Sequence, residues 1–284
     1  MPDPKRRVAI VTDSTSSLTP AMGSQYGVHV VPIYVAFGTE VYRDGIDLDS
    51  EIFYQKLRRS EQLPTTSQPT VADFAQAYTA LSKEAEAIVS IHISQQMSAT
   101  LDSARGATRE LPNIPIHVID SRSVSLGLGL IAIAAGQAAV AGQDAARVVR
   151  LVEGIIPRMN ILFTVDTLEY LRKGGRIGGA AALLGLALRI KPVLCVREGR
   201  IEPLEKPRTR ARAVGRLLDL MAERVGQGQA VHAAVLHCAV PDEAQQFAGR
   251  IAASFRCEEL ITAEAGPIIG THAGPGTLGV VFYT

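Results

Sequence analysis

Cysteine is scarce in this chain: Cys195, Cys238 and Cys257 are the only three among 284 residues. An odd number at wide spacing excludes a disulfide framework and a zinc site, and each thiol lies in or beside an apolar stretch, which predicts burial. Net charge is almost absent too, at +1, with acidic and basic residues interleaved. That leaves no electrostatic footprint for nucleic acid; the cluster Lys206, Arg208, Arg210 and Arg212 reads as the solvated start of a helix. The opening Met1–Arg7 lacks the apolar segment of a secretory signal, and with the cysteine usage this predicts a reducing, cytoplasmic setting. No Walker loop, G-x-S-x-G elbow, H-E-x-x-H or calcium-loop pattern occurs, and no repeat or low-complexity tract is present. The pair His237-Cys238 does not make a nucleophile and base, because neighbours on a strand point to opposite faces.

What the chain does contain is an ordinary globular composition, 47% apolar and 20% charged. Its length suits two domains. From Val124 to Gln143 there is no charge, a run about as long as a membrane span. Gly127, Gly129, Gly136 and Gly142 interrupt it, so it reads as a buried helix packed against close neighbours. Within it Gly127-Leu128-Gly129-Leu130-Ile131-Ala132 matches G-x-G-x-x-A. A dinucleotide loop needs a tight strand-to-helix turn and an acidic residue about twenty positions on, where Arg147 stands here. Close helix packing is the better reading of those glycines.

Strand patterns at Arg7–Thr12, Val28–Phe37, Ala87–Ile93 and Ile116–Ile119 alternate with helix starts at Thr19-Pro20, Ser50, Thr70 and Ser98. That alternation predicts a parallel α/β/α domain over residues 1–150. Beyond it, hairpin signals such as Glu198-Gly199 mix with helices and predict an α+β domain with a mainly antiparallel sheet over residues 151–284.

Several polar stretches are candidates for binding. Pro64-Thr65-Thr66-Ser67-Gln68-Pro69-Thr70 sets four hydroxyls and an amide between and beside two prolines, just ahead of a helix. Prolines discourage helix and favour an extended course, and a hydroxyl-rich segment feeding a helix N-terminus is a place to hold an anion. Asp13 follows the first strand, where a doubly wound sheet places its ligands; forming local turns with Ser14–Ser16 is an equal reading. Ser98 stands at a strand-to-helix turn, as a cap or as a ligand contact. Arg176 lies between two glycine pairs, and His272 lies in a glycine-rich loop, Gly270–Thr277.

Taken in order, V-T-D-S-T-S-S, P-T-T-S-Q-P-T, V-I-D-S-R-S-V-S-L-G-L-G, L-E-Y-L-R-K-G-G-R-I-G-G, K-P-V-L with the later R-T-R, and H-A-G-P-G-T-L-G resemble the DegV family of bacterial fatty-acid-binding proteins along nearly the whole chain. The resemblance implies a carrier, not an enzyme, that holds one long-chain fatty acid in a tunnel between two domains. It also implies a fatty acid kinase partner that phosphorylates the bound carboxylate for phospholipid synthesis. No cofactor, metal or catalytic residue is implied, and transient membrane contact is compatible with the role. The family's carboxylate contacts fall on Thr66, with Thr65 beside it, and on Ser98; Arg176 and His272 are implied near the carboxylate or at the kinase-facing surface. Where the family reads S-S-x-L-S-G-T this chain has Ser94-Gln95-Gln96-Met97-Ser98-Ala99-Thr100, and an alanine at 99 resists the positive φ that glycine allows. The apolar segment Gly179–Arg189 reads equally as tunnel wall and as core. The low aromatic content, 5%, suits an aliphatic ligand better than a planar one. A nucleotide-dependent transferase of the dihydroxyacetone-kinase-like kind is the alternative.

Overall fold

The computed structural model describes residues 6–226 and 228–284; the Met1–Lys5 part of the opening stretch lies outside them. Two main sheets lie on either side of a shared core. The first is parallel and four-stranded, with β1 (Arg6–Asp13) and β6 (Ala85–His92) at its centre and β2 (Val28–Val31) and β7 (Ile116–Asp120) at its edges. One face is covered by α3 (Val71–Ser82) and α4 (Thr100–Thr108). The other carries α5 (Leu126–Val140), with α6 (Ala145–Ile155) packed beside it.

The second sheet has six strands in the order β10 (Arg200–Glu205), β9 (Val193–Arg197), β8 (Asn160–Thr164), β13 (Leu278–Tyr283), β11 (Ala230–His237) and β12 (Arg256–Glu264). All its pairs are antiparallel except β11 with β12. Alternation along its strands divides the apolar residues cleanly. Leu162, Val280 and Val235 pack under α8 (Arg210–Arg224) and α9 (Pro241–Ser254), whereas Phe163, Val281 and Leu236 face the parallel-sheet side.

Local chemistry explains the helix starts. Thr19 caps α1 (Pro20–Tyr26) ahead of proline at its first position, and Thr70 and Asp73 form a reciprocal capping box on α3. The glycines of the uncharged run are packing residues: a Cβ at Gly136 of α5 would collide with the carbonyl oxygen of Tyr26. Among the described residues no helix is long and apolar enough to cross a membrane.

The expected single strand Val28–Phe37 is two. Pro32 has no N–H to give to a ladder, and the chain leaves the parallel sheet there. It then enters a small antiparallel sheet, β4 (Glu40–Arg43), β3 (Tyr34–Phe37) and β5 (Thr65–Ser67). Gly178–Arg189 is a 3-10 helix, which buries Ala180 and Leu183 and exposes Leu184 and Leu186.

Candidate functional site

The two-proline segment forms β5, and strand register decides which of its threonines turns inward. Thr66 sits opposite fully buried Val35 and shares its face; Thr65, one residue away, is exposed on the other. Buried Pro64 and Pro69 anchor both ends. The helix that follows does not serve as the anion site. Thr70 Oγ1 already accepts the Asp73 N–H at 3.1 Å, and the Asp73 carboxylate accepts the Thr70 N–H at 2.7 Å, which puts a negative charge where an anion would have to lie.

Thr66 opens instead into a cavity of about 110 Å³ between the two main sheets. Ile161 and Phe163 of β8, Val196 of β9, Ile201 of β10, Leu236 of β11 and Val281 of β13 form an apolar wall from one sheet. Ile33, Ile93, Met97 and Val124 contribute from the loops at the carboxyl ends of the parallel strands. Five adjacent strands of the second sheet therefore contribute to the wall, a width of about 19 Å at normal strand spacing. An apolar wall of that width suits an extended, flexible chain. None of the described side chains of Gly178–Arg189 lines it.

Polar groups enter this cavity at few points, and four of the sequence candidates are among them: Thr66, Ser98, Arg176 and His272. Thr65 is not. His272 lies in the last turn of α10 (Pro267–Ala273), not in a loop: Pro267 starts the helix, and Gly274 ends it at φ 79. Its Nε2 is 2.9 Å from Thr66 Oγ1. Its Nδ1 is buried without a partner, and Gly174 leaves the room, since a Cβ there would collide with that nitrogen. Desolvation, and secondarily the charge of Arg176, depress the imidazole to about 4, so it is neutral at physiological pH. A bare nitrogen lone pair is a cheaper orphan than a buried N–H. The proton therefore belongs on Nε2, which donates to Thr66 Oγ1 and leaves the Thr66 hydroxyl proton free to point elsewhere.

Arg176 donates from Nε to the Met97 carbonyl at 3.0 Å and from Nη1 to the Gly174 carbonyl at 2.8 Å. Among the described residues it forms no ion pair, so its positive charge at the cavity is not neutralised by a carboxylate. The same bonds brace the segment that carries Ser98, whose Oγ is 2.8 Å from Thr100 Oγ1 and accepts the Thr100 N–H at 3.3 Å. Ser98 is not the N-cap of α4; Ala99 holds that position at φ −81. The positive φ that would have favoured glycine at 99 does not arise, so alanine fits without strain. Gln95 is exposed and outside the cavity, and Gln96 Oε1 accepts two bonds from Arg200 at 3.0 and 2.7 Å, which ties this loop to β10.

Asp13 takes the structural one of its two readings. Fully buried, it accepts the Thr15 N–H at 3.1 Å, the Thr15 hydroxyl, the Ile93 N–H at 3.0 Å and a bond with His92 Nδ1 at 3.0 Å. It clamps together two cavity-lining residues, Thr15 and Ile93. His92 continues to Ser90 at 2.6 Å and Ser90 to Tyr78 at 2.8 Å. The order resembles an acid–base–nucleophile row, but all four side chains are sealed in the core. Thr15, Gln68, Ser125 and Thr277 also line the cavity; each lies inside a motif the sequence had marked, but none was assigned a ligand contact of its own.

A larger, more open cavity of about 780 Å³ lies beside α1 and β2. Asp44, Asp49, Glu84 and Glu264 are among the residues that line it. Burial pushes Asp44 up to about 7. The positive charge of Arg176 makes the first cavity the one suited to an anionic head group. Cys238 is an inert core thiol, pushed by burial up to about 12.

Comparison with known proteins agrees with this architecture. The family model described as an uncharacterised protein family, DegV, matches residues 7–284. A DegV domain-containing protein of Streptomyces coelicolor is 41% identical over 97% of this chain and 98% of its own length. A solved DegV-family protein from Thermus thermophilus, described for its fatty acid binding, superposes with a TM-score of 0.93 at 35% identity, covering 98% of this chain and 99% of the other. DegV from Bacillus subtilis, described as a fatty acid binding protein, gives 0.91 at 33% identity over 98% and 99%. The chain belongs to the DegV family.

Proposed function

We propose that this protein is a non-enzymatic carrier that binds one long-chain fatty acid in this apolar cavity. Thr66 and Ser98 donate hydrogen bonds to the carboxylate, and Arg176 supplies the positive field. The observation that carries the reading is the meeting, in one apolar cavity, of a hydroxyl oriented by a neutral histidine and an arginine that has no carboxylate partner among the described residues. The relatives from Thermus thermophilus and Bacillus subtilis, described as fatty acid binders, support the same ligand.

The energetics suit this division of labour. Each buried methylene contributes about 0.8 kcal/mol, so a sixteen-carbon chain gains on the order of 10 kcal/mol. Hydroxyl donors then have only to fix orientation, at about 1.5–3 kcal/mol for each bond to the charged group. In this reading residues 1–150 hold the head group and residues 151–284 close over the chain. Thr65, on the outer face of β5, takes no part in the clamp.

We further infer that the bound carboxylate is presented to a fatty acid kinase, which transfers the γ-phosphoryl group of ATP to a carboxylate oxygen with release of ADP. The acyl phosphate then feeds phospholipid synthesis in the cytoplasm. The motif set shared with the family supports the kinase partner. Lipid extraction of the denatured protein followed by mass spectrometry tests the carrier reading: it predicts co-purified fatty acid, and absence of lipid together with no uptake of added palmitate overturns it. ATP binding to the isolated chain by calorimetry is the outcome that favours a transferase instead.

A further inference from the structure

The hairpin of β9 and β10 turns through Glu198-Gly199, with Arg197 paired to Arg200 across the turn. Both turn residues have positive φ, 48 and 76, as a two-residue hairpin of this type requires. Loop tips ordinarily face water, yet Gly199 is buried. It packs against the segment Ser94–Ser98, from the parallel-sheet half of the chain. A Cβ on residue 199 would collide with Ser94 Oγ and lie 3.5 Å from Gln96 Cγ. Glycine here therefore serves both the turn and the close approach of the hairpin backbone to Ser94. Polar bonds flank the contact. Arg200 donates to Gln96 Oε1 from Nε at 3.0 Å and from Nη2 at 2.7 Å, and Arg122 pairs with Glu198 at 2.7 Å.

Ser98 lies in that segment, between the end of β6 and the start of α4. The segment is a tight turn. The Ser94 carbonyl accepts the Met97 N–H at 2.9 Å and the Ser98 N–H at 3.2 Å, and Ser94 Oγ accepts the Gln96 N–H at 3.1 Å. Residues of the other half hold the turn from two sides. Arg176 donates to the Met97 carbonyl at 3.0 Å from the cavity side, and the hairpin meets Ser94 and Gln96. Gly199 and Arg200 are not among the cavity-lining residues, so any effect of their contacts on a ligand passes through this turn. Thr66, by contrast, is fixed by ladder register against Val35.

We propose that the β9–β10 hairpin sets the Ser98 half of the carboxylate clamp: Gly199 and Arg200 are positioning residues that hold the Ser94–Ser98 turn in its ligand-binding form. The inference rests on the carrier reading above. With the hairpin seated, the serine hydroxyl is in place before the ligand arrives, and ordering the turn does not reduce affinity. With the hairpin displaced, the turn samples other forms, and affinity falls in proportion to the fraction of molecules that keep Ser98 in place. Val196 of β9 and Ile201 of β10 line the cavity, so the strands that wall the acyl chain also brace the site of its head group.

The test uses the full chain, stripped of lipid, with palmitate and hexadecanol affinities measured by displacement of a fluorescent fatty acid. The ratio of the two affinities isolates the carboxylate contact. Ser98→Ala removes a hydrogen bond to a charged group and should lower the palmitate-to-hexadecanol ratio by about tenfold. Arg200→Ala should lower it by about three- to tenfold, and Gly199→Ala, strained at its φ and against Ser94, should approach the full Ser98→Ala loss. Gln96→Ala breaks the same two bonds with the Arg200 charge retained and should match Arg200→Ala. With Ser98→Ala already present, adding Arg200→Ala should leave the ratio unchanged, because the residue acts through the serine. A brace for stability alone would weaken both ligands alike in the single variants. An unchanged ratio in Arg200→Ala and Gln96→Ala, with Ser98→Ala lowered, therefore overturns the positioning role and leaves the carrier reading standing. A further fall in the double variant also overturns it, since the hairpin would then act by a route other than Ser98. If Gly199→Ala does not fold, Arg200→Ala and Gln96→Ala decide. An unchanged ratio in Ser98→Ala overturns the proposal together with the serine contact, and failure of palmitate to bind the unaltered chain removes the carrier reading itself.

Discussion

Replacing Thr66 by valine keeps the outline of the side chain and removes only the hydroxyl. Two bonds are lost. His272 Nε2, 2.9 Å from Thr66 Oγ1, loses its acceptor, and the fatty acid carboxylate loses the donor that the histidine had oriented. A hydrogen bond to a charged group contributes about 1.5–3 kcal/mol, so Thr66→Val should weaken palmitate binding by about 10- to 150-fold. Burial of the chain contributes on the order of 10 kcal/mol and is untouched, so binding survives. Thr66→Ser keeps the hydroxyl and should stay close to the unaltered protein. Displacement of a fluorescent fatty acid at pH 7.5 measures all three affinities, and hexadecanol in place of palmitate isolates the carboxylate. With the alcohol the valine penalty should shrink, because a neutral head group gains less from the same donor. An unchanged affinity in Thr66→Val, or a serine variant as weak as the valine one, would refute the assignment.

Three further outcomes follow from the same geometry. His272, depressed to about 4 against an ordinary 6.5, stays neutral in the folded chain while the unfolded chain takes up a proton between those values. Stability should therefore fall as pH drops through that window, by up to about 3 kcal/mol. Urea midpoints at pH 7 and pH 4 should show a smaller fall in His272→Gln; equal slopes would argue against a buried neutral imidazole. Gly174→Ala pushes a methyl into His272 Nδ1 and should lower palmitate affinity to about the level of His272→Ala while circular dichroism stays unchanged; full affinity would mean that the ring position is irrelevant. Asp13→Ala strips a buried carboxylate from two N–H groups, a hydroxyl and His92. It should cost about 3–5 kcal/mol in denaturant unfolding, and a loss below about 1 kcal/mol would contradict the clamp.

Local signals were the legible part of this fold. Thr19-Pro20, the helix start at Thr70 and the strand–helix alternation are short-range chemistry, and each sits where the pattern put it. What escaped depends on partners far away in sequence. Pro32 interrupts an apolar run whose composition suits one strand, and only the separate pairing of β2 with β1 and of β3 with β5 shows two. Gly270–Thr277 has the composition of a loop, yet its first half is helical because Pro267 starts a turn that packs against α2 (Ser50–Arg59). The capping box of α3 puts an acidic side chain on the helix start, which removes the anion site expected there. The motifs supplied Thr66, Ser98, Arg176 and His272; that they line one cavity is tertiary information, as is the outward turn of Thr65, set by β5 register against Val35 and Ala36. The substitution at Ala99 proved harmless for a reason no composition shows, the negative φ of that residue.

The central claim, one fatty acid held by its carboxylate beside Thr66 and Ser98, is tested most directly by carbon-13 NMR of carboxyl-labelled palmitate titrated into the delipidated chain. The account predicts a single bound carboxyl resonance that saturates at one equivalent and moves in both Thr66→Val and Ser98→Ala. A spectrum that keeps only free palmitate, or a bound resonance indifferent to both substitutions, would contradict it.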